Sequence, residues 1–482
     1  MPAPLQPSPT VLLPQLPPKT LVGIDLITFT STANFYGIRD LPTGWHFLYT
    51  GTTESLSLRC GAWFYVGDIH AAGHGSSDSA LVATRDRGLG PDIYIWKWSP
   101  ATEALTSLKA ESDMDRQDAM RYKANLGAIW QSGGLFRYRS RVSPSMLSNQ
   151  SGSTPTRVLQ VEHDEETEES GRRDWQQLTD RISPALLSRV IGSPELDVDG
   201  HPRWAVTSAS TAGRDADHIP GVDSPAEGMD GTPPTNDEQE REFGFLPVDL
   251  KRTWREGAIG RERTDAAQDR SWALGDLIQR YSSPVSGDTG VDERLGEAQL
   301  VGELQFTFLM VLTTMNFSCL QQWKRLLELI LTSRQAILDR GPFMSEVIRL
   351  LLRQLQRCDD VEGGLFEIDG DEGGKFLRNL LKKLRRSLDQ LLTPGAESMV
   401  KAELDKLEAW VKEEYDWELT REVFVRRGML QLEDGEEVEM EMADNDEDED
   451  EETGEYAPMV VDLGEDTAIS DGGDLHDARM SD

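Results

Sequence analysis

The first residues that could bind a metal are two histidines, His70 and His74. Their spacing of four is the one at which a helix presents two imidazoles to the same ion. They lie in DIHAAGHGSSDS, which is rich in Gly and Ser and has no cysteine nearby. This composition is typical of a solvated hairpin loop, so the sequence predicts no metal site here.

A second candidate is a calcium-binding loop in DGDEGGKFLRNL, where Asp369, Asp371 and Gly374 occupy the first, third and sixth positions. Such a loop needs a bidentate Glu at its twelfth position, where this chain has Leu380, and its fifth position is Gly373. We therefore expect a flexible interhelical loop without calcium.

Nucleophilic catalysis is the third kind of chemistry considered. The chain has no GxSxG, GxxxxGK[ST] or HExxH motif. A hydrolase that uses His46 or His201 is disfavoured because no nucleophile and base are visibly paired. Since His46 lies in a period-two strand, it is interpreted as a packed or surface strand residue. No catalytic, cofactor-binding or metal-binding residue is predicted, and the protein is not expected to be an enzyme.

The charge distribution excludes nucleic acid as a direct partner. The chain has 482 residues, with 49 basic and 85 acidic side chains and a formal charge of −36. Residues 431–482 contain 22 Asp and Glu against one Arg. Because nucleic-acid affinity depends mostly on Lys and Arg that neutralise phosphates, we expect this protein to bind another protein.

Cysteine usage and the N-terminal segment indicate a cellular compartment. The three cysteines, Cys60, Cys319 and Cys358, are far apart, which suits a reducing compartment and free thiols. The Pro-rich residues 1–19 are predicted to be a disordered arm and not a signal peptide. The most apolar run, LQFTFLMVL, is too short for a membrane span, so no membrane contact is expected.

Residues 20–142 are predicted to form a β-rich domain. GWHFLYTG, CGAWFYVGD and DIYIWKWSP are short aromatic runs bounded by turn residues, and the last alternates with a period of two. This pattern is typical of a small antiparallel sandwich or barrel. DMDRQDAMRYKANLGAIW is predicted to be a helix that closes the domain.

Residues 143–242 are interpreted as a linker or insertion that is partly helical. The stretch 143–171 is expected to be a solvated linker or surface loop, and WQQLTDRISPALLSRVIG a broken helical pair. HPRWAVTSA is a candidate strand. Residues 209–240 are rich in Gly, Pro, Asp and Thr and are predicted to be largely disordered.

Residues 243–430 are predicted to form an all-helical domain. Thr264 is expected to cap a helix, and GEAQLVGELQFTFLMVLTTMN to be a buried central helix because it is apolar nearly all round. The next helix has an apolar stripe (Leu320, Trp323, Leu327 and Ile330) and outward polar residues (Gln322, Lys324, Arg325 and Glu328). LRNLLKKLRRSL is amphipathic and basic and could touch a membrane or an acidic partner, although a core helix is its simplest role.

The acidic tail, residues 431–482, contains an apolar island at 457–465, APMVVDLGE. In a strand, Met459, Val461 and Leu463 would lie on one face, with Val460 and Asp462 on the other. If these three side chains are buried on binding, each stabilises the bound strand by about 1.5–3 kcal/mol. Ordering the backbone of the strand costs about 1–2 kcal/mol per residue. Because these terms nearly cancel, the island needs a second contact made by the folded domains.

Several patches together resemble one family, the AAR-two cistron-splicing factors. GIDLITFTSTANFYGIRDLPTGWHFLYTG, CGAWFYV and IYIWKWS resemble its N-terminal domain, and VGELQFTFLMVLTTMNFSCLQQWKRLLELI resembles its helical pair. EYDW followed by APMVVDL is similar to its closing stretch. The matches keep their order over residues 20–465, and the long insertions between them suit a filamentous-fungal type of member.

The resemblance implies an α+β multidomain protein: a β-rich N-terminal sandwich or barrel-like domain, then an all-α C-terminal domain, with disordered linkers and an acidic tail. It also implies a non-catalytic U5 snRNP assembly factor that binds the large U5 scaffold protein at its RNase H-like and Jab/MPN-like domains. The factor would hold off the helicase and RNA, as a monomer without a cofactor, in the cytoplasm with shuttling to the nucleus. The partner-binding residues would add a strand to a sheet edge; they are Pro458, Met459, Val460, Val461, Asp462 and Leu463.

The acidic spacer before the island is longer than in the family pattern and leaves two interpretations open. It is either a soluble, self-repelling tether or a mimic of RNA phosphate that binds a basic groove, and rising salt should weaken binding strongly only for a mimic. The alternative function is an acidic-tail chaperone for basic nuclear proteins. Deleting residues 436–455 while keeping 457–465 should abolish that alternative and spare the assembly factor.

Overall fold

The computed structural model describes residues 8–52, 58–69, 92–141, 157–212, 242–284, 291–358, 371–392, 398–419, 425–431 and 437–443. They belong to two compact units, residues 1–420 and 421–482. In chain order the strands of the first unit are β1 Thr10–Leu12, β2 Leu21–Ile24, β3 Ile27–Thr30, β4 Gly37–Arg39, β5 Gly44–Gly51, β6 Arg59–Val66, β7 Ile93–Ser99, β8 Ala104–Ser107, β9 Leu135–Arg137, β10 Glu195–Leu196, β11 Pro202–Thr207, β12 Ser283–Pro284 and β13 Val291–Asp292.

The helices of the same unit, also in chain order, are α1 Asp113–Ala124, α2 Leu126–Gln131, α3 Arg157–Thr179, α4 Pro184–Val190, α5 Arg261–Gln268, α6 Ser271–Arg280, α7 Glu293–Thr314, α8 Phe317–Leu331, α9 Ala336–Asp339, α10 Gly341–Leu355, α11 Asp371–Leu391 and α12 Met399–Tyr415. No helix among the described residues combines the length and the apolar character that crossing a membrane requires.

Two sheets face each other in the N-terminal domain, as the predicted sandwich requires. They are not wholly antiparallel as expected, because β1 pairs with β7 and β4 pairs with β9 in parallel. One has the order β8-β7-β1-β4-β9 and the other the order β10-β11-β6-β5-β2-β3. Leu48 and Phe64 of the second sheet share a buried core with Tyr94 and Trp96 of the first. The three aromatic runs of the sequence are β5, β6 and β7, and the predicted β-rich fold is confirmed.

The second sheet is covered on both faces. Residues of β5 alternate between the sandwich core, which takes Leu48, and a helix-facing core, which takes Trp45, Phe47 and Tyr49. Strands buried on both sides have little polar alternation, which is why GWHFLYTG is aromatic at nearly every position.

The segment between the two domains contributes regular structure to both. HPRWAVTSA supplies β11, whose Trp204 pairs with Trp63 of β6, and this prediction is confirmed. The helical pair is also confirmed as α3 and α4. The expected solvated linker is wrong from residue 157 onward, because α3 runs through the acidic stretch. Glu and Arg are good helix formers, and Trp175 and Leu178 anchor this helix in the core.

The helical domain is built around α7, which is buried at every position from Leu300 to Thr314. Met315 ends this helix in the left-handed conformation, with φ 52°, and Asn316 caps α8 by accepting the Cys319 N–H at 2.9 Å. α8 and α10 pack against α7, so the predicted buried central helix is confirmed.

Three local predictions in this domain are wrong. Thr264 lies inside α5, whose N-cap is Gly260, so it is not a cap. Gln322 does not face outward: its side chain is buried because it has hydrogen-bond partners in the interior. Asp371 begins α11, so the interhelical loop expected at DGDEGG is wrong from residue 371 onward, whereas the helix expected over LRNLLKKLRRSL is confirmed.

The described residues of the second unit form an antiparallel hairpin, β14 Val425–Gln431 and β15 Glu437–Ala443. Its register places Val425 opposite Ala443 and Gln431 opposite Glu437. Residues 425–430 are therefore a strand, where the sequence had placed the end of the helical domain. The alternation in EVEMEMA has the period of two that a strand needs. The domain boundaries themselves stay predictions.

Candidate functional site

The predicted partner-binding residues lie outside the described part of the chain. They are Pro458, Met459, Val460, Val461, Asp462 and Leu463. His70 and His74 of the suspected metal pair lie outside it as well. Strand addition by the island therefore stays a prediction.

His46 is part of a buried hydrogen-bond network. The Asp25 carboxylate accepts hydrogen bonds from the Phe47 N–H (3.0 Å), the Tyr138 hydroxyl (2.6 Å) and His46 Nδ1 (2.9 Å). The Nε2 atom of His46 lies 2.9 Å from the Pro42 carbonyl oxygen. Because both ring nitrogens face acceptors, the geometry favours a ring with a proton on each nitrogen.

Both ring nitrogens of His46 are engaged in the network, so neither is available to act as a catalytic base. Burial disfavours the charged ring, but the charge and hydrogen bond of Asp25 and the Pro42 carbonyl outweigh burial and raise the pKa of His46. Burial and the Asp25 charge also raise the pKa of Tyr138 well above its ordinary value. Tyr138 follows β9 of the first sheet and His46 lies in the second, so the network ties the sandwich together.

His201 belongs to the turn between β10 and β11. One oxygen of Asp197 accepts the N–H groups of Asp199 and His201, both at 2.8 Å, and the other lies 3.0 Å from His201 Nδ1. Burial lowers the pKa of His201, but hydrogen bonds and charges of Asp197 and Asp92 raise it to about 9. His201 is thus protonated at neutral pH and is not a base.

Asp197, Asp199 and His201 are close enough to suggest a metal site, since their ligand atoms lie within 4.8 Å of one another. The Lys123 ammonium, 2.5 Å from Asp199, already supplies a positive charge to this group. The Asp197 oxygens are engaged by the turn's own donors. The cluster is explained as a hydrogen-bonded hairpin turn.

The run GELQF, residues 302–306, forms the joint between the two domains. Glu303 of α7 is fully buried and accepts hydrogen bonds from Arg189 Nη1 at 2.7 Å, Gln322 Nε2 at 2.8 Å and the Leu246 N–H at 3.0 Å. Burial raises the pKa of Glu303, and the Arg189 charge opposes that shift. One carboxylate therefore links α4, α7, α8 and the chain around residue 246.

Gln305 makes the second set of contacts in this joint. Its amide oxygen accepts the Arg181 N–H at 2.9 Å, and its amide nitrogen donates to Asp180 Oδ1 at 2.6 Å. A Cβ on Gly302 would lie 2.8 Å from the Arg181 carbonyl oxygen, so only glycine allows this close approach. Phe306 packs against Trp63 of β6, with ring centroids 6.3 Å apart.

Further hydrogen bonds bind the sheets to the helices. Arg59 Nη1 of β6 donates to the Thr313 carbonyl at 2.9 Å, and Trp175 Nε1 of α3 donates to the Trp45 carbonyl at 2.7 Å. Asn316 Nδ2 donates to the Ser210 carbonyl at 2.8 Å. The two domains thus share one core.

A groove with a cavity of about 630 Å³ opens beside this joint, between α3, α7, α10 and α12. It is crossed by the ion pairs Arg181–Glu346 (2.7 Å) and Arg349–Glu403 (3.2 Å), and Met399 at its edge is 61% exposed. Such paired charges around an exposed apolar side chain suit a protein contact better than catalysis.

Taken together, the fold and this joint define a class of two-domain protein in which a β-sandwich shares its core with a helical domain through one buried helix. The model of the AAR2 N-terminal domain matches residues 7–192, and that of the AAR2 C-terminal repeat region matches residues 245–420. The chain belongs to the AAR2 family, as the resemblance in its sequence had implied.

Curated relatives agree with this assignment. The chain is 22% identical to "Protein AAR2 homolog" of Homo sapiens over 425 residues, which cover 86% of this chain and 90% of the relative. The proteins of the same name from Pongo abelii and Mus musculus match at the same identity and coverage.

Proposed function

We propose that this chain is a non-catalytic assembly factor of the U5 snRNP in pre-mRNA splicing. It binds the large U5 scaffold protein at its RNase H-like and Jab/MPN-like domains and keeps the helicase and RNA away until assembly is complete. It acts as a monomer in the cytoplasm and shuttles to the nucleus. The observation that carries the proposal is the match of both AAR2 family regions, in order, over most of the chain.

Two features of the molecule support a binding role. The formal charge of −36 opposes contact with RNA and favours a protein partner. The shared core of the two domains gives a rigid surface, which lowers the entropy cost of docking.

The test is a pull-down of the purified RNase H-like and Jab/MPN-like domains with the full chain, beside a truncation at Gly454. We expect the full chain to bind and the truncation to bind more weakly, because it lacks the strand-adding island. Equal binding would leave the assembly factor intact and remove the island from the interface. No binding by either chain, with both targets folded, would refute the proposal.

The acidic-tail chaperone remains the second candidate, favoured by the 22 acidic residues of the tail. The hairpin refines the deletion that separates the two functions, since removing residues 436–455 would delete β15. Deleting residues 444–455 instead keeps both strands and the island. The assembly factor should keep its partner, whereas a polyacid chaperone should lose binding to histones or basic ribosomal proteins.

A further inference from the structure

Helix α11 has an unusual concentration of positive charge for so acidic a chain. The twelve residues from Lys375 to Arg386 contain six basic side chains and no acidic one. Four of them, Lys375, Arg378, Lys383 and Arg386, are exposed. Their spacing of three to five residues places them along one side of the helix, over about 17 Å at 1.5 Å per residue. We call these four residues the basic stripe.

Among the residues that the structure describes, the basic stripe has no counter-charge. Within the part of the chain that the structure describes, none of its four side chains has an ion pair or a hydrogen bond. Arg385 differs, because it faces α12 and pairs with Asp405 at 2.5 Å and with Glu408 at 3.3 Å. Arg385 is therefore used in packing against α12, whereas the four cations of the basic stripe are exposed to solvent.

The opposite face of α11 excludes a membrane as the ligand. Leu377, Leu381 and Leu384 are buried in the shared core, and Phe376 packs beneath Lys324 of α8 at 5.2 Å. An amphipathic helix binds a bilayer through its apolar face, which is already occupied here. The stripe can offer a ligand only its charge and its Arg and Lys donors.

We propose that the basic stripe docks an acidic segment of a partner protein. A row of four unpaired cations complements a row of carboxylates, and Arg378 and Arg386 can each hold a carboxylate with two hydrogen bonds. An extended segment of about five residues would span the stripe at roughly 3.3 Å per residue. This surface is independent of the proposed function and of the island in the tail.

Charge complementarity favours a short acidic segment over RNA. The stripe is a local exception on a molecule of charge −36. A polyanion longer than the stripe is also repelled by the net negative charge of the rest of the chain. Charges more than a Debye length away, about 10 Å in 0.1 M salt, are screened, so a short segment senses mainly the stripe.

The test is fluorescence anisotropy with the full chain and a fluorescein-labelled hexaglutamate peptide, with a short single-stranded RNA of equal charge as the comparison ligand. The stripe variant combines Lys375→Glu, Arg378→Glu, Lys383→Glu and Arg386→Glu. The matched control combines Lys19→Glu, Lys109→Glu, Arg252→Glu and Arg294→Glu, which make the same charge change at scattered exposed sites. A second stripe variant has glutamine at all four positions, which removes the positive charges without adding negative ones. Thermal melting checks that each protein is folded.

We expect hexaglutamate to bind the native chain and to bind both stripe variants about tenfold or more weakly, with the control unchanged. Equal loss in the control, or no binding to the native chain, would overturn the proposal. So would tighter, stripe-dependent binding of the RNA. Binding that appears only after residues 444–455 are deleted would assign the stripe to the chain's own acidic segment and likewise overturn it.

Discussion

At the scale of single residues, the most informative side chains are buried and charged. Glu303 and His46 are ionisable groups buried inside the protein, and hydrogen bonds from several elements satisfy each of them. Such groups contribute little net stability as pairs, but removing one partner leaves the other desolvated and alone. The two domains therefore depend on a few polar contacts as well as on their apolar core.

Glu303→Ala should destabilise the protein by about 3–5 kcal/mol, because Arg189 and the Leu246 N–H lose their acceptor inside the joint. Urea unfolding followed by tryptophan fluorescence measures the change. Glu346→Ala breaks the half-exposed pair with Arg181 and should cost no more than about 1 kcal/mol. Similar losses for the two variants would contradict the assigned role of Glu303.

The raised pKa of His201 predicts a pH dependence of stability. A histidine whose pKa is higher in the folded state stabilises the fold fully below the unfolded value of 6.5. That contribution is lost as the pH rises through the folded value of about 9. Between pH 6.5 and about 9 this loss lowers the unfolding free energy by up to about 3 kcal/mol. His201→Asn should remove most of that decrease. Identical pH profiles for the two proteins would show that the turn does not hold the proton.

At the scale of elements, helix caps differ in how much structure they support. Asn316→Ala removes the cap of α8 and also the donor to the buried Ser210 carbonyl, so we expect a loss of about 2 kcal/mol or more. Ser112→Ala removes only the cap of the exposed helix α1 and should cost about 1 kcal/mol. Chemical denaturation of both variants makes the comparison, and an equal cost would mean that Asn316 is only a local cap.

The same scale shows which elements the sequence could predict. Short aromatic runs bounded by turn residues identified β5, β6 and β7, and a run that is apolar nearly all round identified α7, because burial leaves a pattern in the local sequence. The first part of helix α3, residues 157–171, was missed because its acidic residues suggested a solvated linker. The hairpin of β14 and β15 was missed because the total charge of the tail hid the alternation in EVEMEMA.

The polar joint was missed for a related reason. A helical wheel assigns every polar residue to water, so Gln322 was placed outside. The usable signal was Glu303 and Gln305 within an otherwise apolar run, since a buried charge requires partners from elsewhere. Which partners those are depends on tertiary contacts with Arg189 and Leu246 that no local pattern encodes.

At the scale of the whole first unit, the sheet and the helices should not fold independently. Trp45, Phe47 and Trp63 of the sheet share a core with α7, so a fragment of residues 8–212 would expose a large aromatic surface. We expect fragments 8–212 and 242–419 to co-purify when expressed together and the first to aggregate alone. Size-exclusion chromatography tests this, and two soluble fragments that do not associate would contradict it.

Helix α7 lies in contact with both domains and has no solvent face over most of its length. Every substitution in α7 must fit the packing against both domains, so few substitutions are tolerated. The sequence of this helix should therefore diverge slowly. This gives a physical reason to expect that α7 changes more slowly than the rest of a chain that is only 22% identical to its human relative. In more distant members of the family, we expect the sequence of this helix to be more similar than the sequence of the exposed surface.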